Sequence, residues 1–151
     1  MKSFDTNILI YALNEEAAEF PAASELVQEA LTHADQWIIA DQTYFELYAV
    51  LRNPRIWAKP LSGKEALKRI EFFRNQSGFL HCAYDLDQWE PISRSLQRAD
   101  FPARHIFDVV LAKTLIANGV THFYTRNVKD FESIGLEQVI NPIDTDSRKR
   151  K

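Results

Sequence analysis

From end to end the chain alternates short runs rich in β-branched and aromatic residues with longer stretches of helical period. Such alternation favours βα units and a parallel sheet over an all-helical bundle. MKSF, QWIIA, GFLHCAY, HFYT and EQVINP read as strands one to five. Between them, NILIYAL, PAASELVQEALTHA, TYFELYAVLRN, SGKEALKRIEFFRN, DQWEPISRSLQRA and PARHIFDVVLAKTLIANG read as helices. Pro21 sits at a tolerated first-turn position, Pro54 ends the third helix and Gly119 closes the last. The expected fold is α/β: a central, mainly parallel sheet of four to five strands sandwiched between helices.

A chain of 151 residues suits one domain. That domain is expected over residues 1–143, with a basic, frayed tail at 144–151. No apolar run approaches the roughly 18 residues of a membrane span, and Asp5 spoils a signal-peptide reading of the N-terminus. A cytoplasmic protein without membrane contact is expected. The single cysteine, Cys82, excludes an intrachain disulfide or a cysteine-based zinc site and reads as a small buried hydrophobe. Net charge is −3, and without the closing RKRK the balance is 14 basic residues against 21 acidic ones. Such a chain does not coat nucleic acid electrostatically, so any contact with it must be local.

In open α/β sheets, ligands bind at the carboxyl ends of strands, near the point where strand order reverses. Asp5 ends strand one; Thr125, Arg126, Asn127 and Asp130 follow strand four. Asp5 is either a helix N-cap or a ligand. Glu46 either completes a Thr43-x-x-Glu46 capping box or faces a site from the first turn of its helix. Asp108 interrupts the apolar run IFDVVLA and shares a helix face with Leu111, Ala112 and Leu115. A lone carboxylate there is costly unless paired, hydrogen-bonded or bound to a cation. That leaves a buried ion pair with Arg104 or His105, or a functional acid. Several carboxylates converging on one crevice repel and require a cation, and all-oxygen sites favour Mg²⁺ or Mn²⁺ over zinc. The histidines, His33, His81, His105 and His122, are scattered and read as structural.

FDTNILIYAL, the acid in ADQTYFELYAVLRNP, the FDVVLAKTLIANG helix and the closing YTRNVKDFESIGLEQVINP occur in one order over nearly the whole chain. Together they resemble the PIN-domain ribonucleases, most closely the VapC toxins of type II toxin–antitoxin modules. The resemblance implies a PIN-like three-layer sandwich in which Asp5, Glu46 and Asp108 are the metal-binding acids. Family members carry a further acid shortly after the strand-four Thr or Ser, often where this chain has Asn127; Asp130 is the alternative source of that carboxylate. The departure bears on whether one or two ions are held. The implied activity is Mg²⁺-dependent endonucleolytic cleavage of RNA, with tRNA a frequent target and Mn²⁺ a substitute ion. Metal-activated water attacks phosphorus in line while the ions stabilise the leaving oxygen. Thr125, Asn127 and Arg126 then orient groups or contact substrate. The resemblance further implies a homodimer and an antitoxin covering the acidic crevice, which is a natural receptor for an arginine.

RNA needs a basic margin around such a crevice. Arg52, Arg55, Lys59, Lys64 and Lys68, with Arg69 and Arg74, are interleaved with Trp57, Phe72 and Phe73 and form one candidate. Phe72 and Phe73 also read as core, and RKRK is a second candidate margin. Two rival readings remain: an aspartate-based phosphotransfer domain and a catalytically silent PIN-like binding module. Phosphotransferases of the dehalogenase type want an acid two residues after the first aspartate, where this chain has Asn7.

Overall fold

Five parallel strands, each three residues long, make up the sheet: β1 (Lys2–Phe4), β2 (Ile38–Ala40), β3 (Leu80–Cys82), β4 (His122–Tyr124) and β5 (Gln138–Ile140). The computed structural model describes residues 1–143, so the expected basic tail lies outside the described residues. β4 pairs with β1 on one side and β5 on the other, and β2 pairs with β3. One parallel bridge, Lys2 to Trp37, joins the two parts into the order 3-2-1-4-5. Strand order therefore reverses between β1 and β4, the point at whose carboxyl ends open α/β sheets bind their ligands.

The strands are shorter than the sequence runs: in QWIIA, Gln36 closes a 3₁₀ turn over Ala34–Gln36 and Trp37 pairs with Lys2 through a single isolated bridge. Asp5 caps the first helix, and Asp41 already lies in the third. The helices are α1 (Thr6–Ala12), α2 (Phe20–Thr32), α3 (Asp41–Leu51), α4 (Gly63–Glu71), α5 (Trp89–Leu96), α6 (Ile106–Ala117) and α7 (Val128–Phe131). Ser62 and Glu65 form a reciprocal capping box that starts α4. SGKEALKRIEFFRN is not one uniform helix, since beyond Glu71 it widens into a π turn over Phe72–Gln76. α6 starts only at Ile106, after a single 3₁₀ turn over Ala103–His105. It ends at Ala117 and is closed by Gly119, whose φ of 78° is left-handed and whose amide bonds the Ile116 carbonyl. The one-turn α7 carries too short a pattern to be read from the sequence.

Period-two alternation along the strands divides the interior into two layers. Phe4, Trp37 and Ile39 face α1 to α4, packing with Ile8, Leu9, Leu47 and Ile70. Ile38, Ala40, Cys82 and Phe123 face α5 to α7, packing with Ile92, Leu111, Leu115 and Phe131. Cys82 is a buried free thiol whose pKa burial pushes up to about 11. Phe73 is core as expected, but Phe72 is 42% exposed because the π turn rotates it outward. Among the described residues no helix is long and apolar enough to cross a membrane.

Phe4 is fully buried, with its ring centroid 5.4 Å from that of Trp37 and 5.9 Å from that of Phe79. Phe4→Ala leaves a cavity under the strand that carries Asp5, and should lower unfolding free energy in urea by about 3–5 kcal/mol.

Candidate active site

The β1–β4 register sets Phe4 opposite Tyr124, and the Asp5 amide donates to the Tyr124 carbonyl at 2.9 Å. Asp5 and Thr125 therefore leave the sheet side by side. Thr125 Oγ1 donates to Asp5 Oδ2 at 2.7 Å, Asn7 Nδ2 donates to the same oxygen at 2.7 Å, and the Thr6 amide donates to Oδ1 at 2.7 Å. Asn7 also donates to Thr125 Oγ1 and accepts from the Arg126 amide, tying the start of α1 to the loop after β4. Asp5 is thus the α1 N-cap and is also held from three sides. Its burial pushes the carboxyl up to about 6; bonds from Thr125 and Thr6 oppose that rise, and the charges of Glu46 and Asp108 add to it.

Glu46 lies in the second turn of α3, not the first, because the helix begins at Asp41. No capping box forms with Thr43. Ala40 is the N-cap, and the buried Thr43 hydroxyl has no partner among the described residues. Glu46 instead accepts from Thr6 Oγ1 at 2.8 Å on Oε2 and from Gln42 Nε2 at 2.8 Å on Oε1. Gln42 Nε2 also donates to the Phe107 carbonyl at 3.0 Å, linking α3 to the first turn of α6.

Asp108 is half-buried on α6, and its Oδ2 lies 2.7 Å from His105 Nδ1. Arg104 Nε donates to His105 Nε2 at 3.1 Å, which places the imidazole proton on Nδ1 for donation to Asp108. Of the two partners expected for Asp108, His105 is therefore the direct one and Arg104 acts behind it. Desolvation raises the Asp108 pKa; His105 opposes the rise, and the charges of Asp130 and Glu46 reinforce it. Asp130 Oδ1 is 3.7 Å from the same His105 nitrogen. Among the described residues, His105, Asp108 and Asp130 are the one trio of potential ligands whose donor atoms all lie within 4.8 Å of one another. Asp5 and Glu46 lie outside that trio and are coupled to it through the field at Asp108.

The remaining candidates are placed unevenly. Asn127 is exposed and gives its amide to Thr125 Oγ1 at 3.0 Å. Arg126 turns toward α1 and α2, with its guanidinium 5.6 Å from the Tyr11 ring and paired with Glu19. Arg52 lies over the Tyr48 ring and bonds its hydroxyl at 3.0 Å. Arg55, Lys59, Lys64 and Lys68 are exposed, and Trp57 packs against the core. Lys68 lines a groove of about 690 Å³ with Leu13, Val27 and Phe72. Thr6, Asn7 and Gln42 are not among the sequence candidates for the site, and His105 is one only as a possible partner of Asp108, yet each bonds a candidate acid. Gln42–Glu46 at i,i+4 and His105–Asp108 at i,i+3 are spacings from which two of the four were legible.

No protein-family model matches the chain. Over 148 residues, 97% of its length, it is 35% identical to ribonuclease VapC24 of Mycobacterium tuberculosis, of which it covers 99%, in both strain CDC 1551 / Oshkosh and strain H37Rv. The chain belongs to the VapC ribonuclease family. Its fold matches the crystal structure of Mycobacterium tuberculosis VapC20, a sarcin–ricin loop cleaving toxin, with a TM-score of 0.67 at 17% identity over 90% of this chain and 96% of that one. It also matches FitAcB from Neisseria gonorrhoeae, with a TM-score of 0.65 at 18% identity over 94% and 98% of the two chains. DNA-bound VapBC from Salmonella typhimurium gives a TM-score of 0.65 at 19% identity over 93% and 97%. The α/β sandwich is the PIN-like fold of the VapC proteins.

In this VapC-family chain, neither Asp5 nor Glu46 makes an ion pair with a basic side chain among the described residues. A buried carboxylate without a basic partner, in the field of two others, fits a divalent cation by the chemistry of its donors. The cost of Asp5 is testable without metal. Its carboxyl ionises near pH 6 in the folded chain and near 4 when unfolded, so in that window the native state holds the extra proton and stability falls as pH rises. In EDTA, the stability of Asp5→Asn relative to wild type should improve by up to about 3 kcal/mol between pH 4 and pH 7, read by urea unfolding.

Proposed function

We propose that the protein is a Mg²⁺-dependent endoribonuclease, the toxin of a type II toxin–antitoxin pair acting in the cytoplasm, with structured RNA such as tRNA as its substrate class. The observation that carries this reading is Asp5: a buried carboxylate oriented by Thr6, Asn7 and Thr125, with Glu46 and Asp108 as the charged groups in its field. Asp5, Glu46 and Asp108 are the residues proposed to hold the metal, with Asp130 as the fourth acid. Mg²⁺ or Mn²⁺ held there supplies Lewis acidity, making water more acidic and neutralising charge on the phosphodiester.

The chain's own groups prepare for that ion. Asn7 and Thr125 occupy both acceptor directions of Asp5 Oδ2, so Oδ1, which takes only the Thr6 amide, is the oxygen left to bind. Thr6 and Gln42 each take one oxygen of Glu46 and fix its orientation before any ligand arrives. His105 does the same for Asp108 by donating to Oδ2. Such fixed acids need little rearrangement when charge develops on the substrate. The uncompensated negative crevice also suits an arginine from an antitoxin, whose guanidinium would pair with the same acids. We also propose a homodimer as the toxin's own assembly.

Wild-type protein freed of any antitoxin should cut total RNA in Mg²⁺ or Mn²⁺ and lose that activity in EDTA. Asp108→Asn, which keeps the side chain's shape, should cut about 100-fold more slowly or less, equivalent to roughly 3 kcal/mol of barrier. Equal degradation by wild type and Asp108→Asn would contradict the carboxylate mechanism.

A further inference from the structure

A cavity of about 250 Å³ opens beside the acids and shares His105 and Asp130 with them. It is smaller than the roughly 300–1,000 Å³ of pockets that engulf whole small-molecule ligands, and so suits one unit of a longer chain. Its lining combines two chemistries. Val109 and Ile134 are apolar and nearly closed off, at 2% and 8% exposure, while Arg98 and Lys129 bring positive charge beside the carboxylates of Asp100 and Asp130. Any polyanion held at the acids must place its next phosphate against a cation, because the crevice itself repels it.

The other arginines near the site are engaged. Arg126 pairs with Glu19 and lies over Tyr11, and Arg104 is bonded to His105. Among the described residues Arg98 pairs only with Asp100, at 3.3 Å, and both side chains are more than half exposed, so that pair is weak and exchangeable. Lys129 makes no ion pair among the described residues. The basic stretch on α3 and α4 lies on a different layer. Arg52 follows the last turn of α3, and Lys68 lines the separate groove with Leu13, Val27 and Phe72.

Resting on the ribonuclease reading above, we propose that this cavity is the subsite for the nucleotide adjoining the scissile phosphate, with Arg98 and Lys129 taking its phosphate and Val109 and Ile134 its base. The charge then comes from the loop after α5 and from α7, and the apolar floor from α6 and the turn after α7. Contact with an apolar floor is largely tolerant of base identity, so the cavity supports a modest preference for the base beside the cut.

The test is NMR titration of ¹⁵N-labelled full-length protein with 5′-AMP in Mg²⁺, with inorganic phosphate as the second probe. AMP should move the Val109, Ser133 and Ile134 amides saturably, and phosphate alone should leave the apolar floor unmoved. Arg98→Glu removes the phosphate partner, and Ser133→Trp fills the cavity from an exposed position. Each should weaken AMP binding about fivefold or more, with dispersed spectra showing that the fold is kept. AMP shifts centred elsewhere, or an affinity indifferent to both substitutions, would overturn the subsite. RNA cleavage by the same wild-type preparation separates the two ideas. No metal-dependent cleavage overturns the ribonuclease reading, whereas cleavage retained with AMP binding indifferent to Arg98 and Ser133 overturns the subsite alone.

Discussion

The Asp5 amide bonds the Tyr124 carbonyl at the last rung of the β1–β4 ladder, and most of the site depends on that contact. It brings Asp5 beside Thr125 although 120 residues separate them in sequence. Asn7 and Thr6 follow on the first turn of α1, so one strand end delivers an acid together with the donors that orient it. A slip of one residue in this register would turn Phe4 out of its layer and carry Asp5 away from Thr125. The pairing of Phe4 with Trp37 and Phe79 therefore protects the site's geometry as well as the core.

The second constraint is electrostatic. Asp5, Glu46, Asp108 and Asp130 come from four different elements, and the field of one reaches the next along the crevice. Concentrating like charge costs stability, and the structure answers with neutral donors in place of cations: Thr125, Asn7, Thr6 and Gln42, with His105 beside Asp108. Neutral donors fix direction without cancelling charge, which leaves the crevice attractive to a cation. A lysine or arginine in their place would stabilise the resting protein and compete for the same oxygens.

Much of this was legible from the residues. Asp108 stood out because a carboxylate on an apolar helix face needs a partner, and the Gly119 stop and the alternation of strands and helices set the fold class. Less visible was the sheet order, because strands of three residues carry almost no pairing information and a single bridge joins β1 to β2. Of the two readings open to Glu46, the capping box fails because α3 starts at Asp41, so the Thr43-x-x-Glu46 spacing falls one turn inside the helix. Asn7 was informative as a non-acid, but its role as a clasp between Asp5 and Thr125 depends on a contact 118 residues away in the chain. Arg126 lies close in sequence to Asn127, yet it turns toward Glu19, a choice set by the packing of α1 on α2 and not by local pattern.

The proposed role of Asp5, Glu46 and Asp108, to hold a divalent cation, draws its support from membership of the VapC ribonucleases and from the orientation of the acids. Anomalous scattering from a crystal soaked in millimolar Mn²⁺ tests it most directly. The account predicts a peak in contact with the carboxylates of Asp5 and Asp108 and within reach of Glu46. A crevice without a peak, in crystals where Mn²⁺ binds elsewhere, would contradict it.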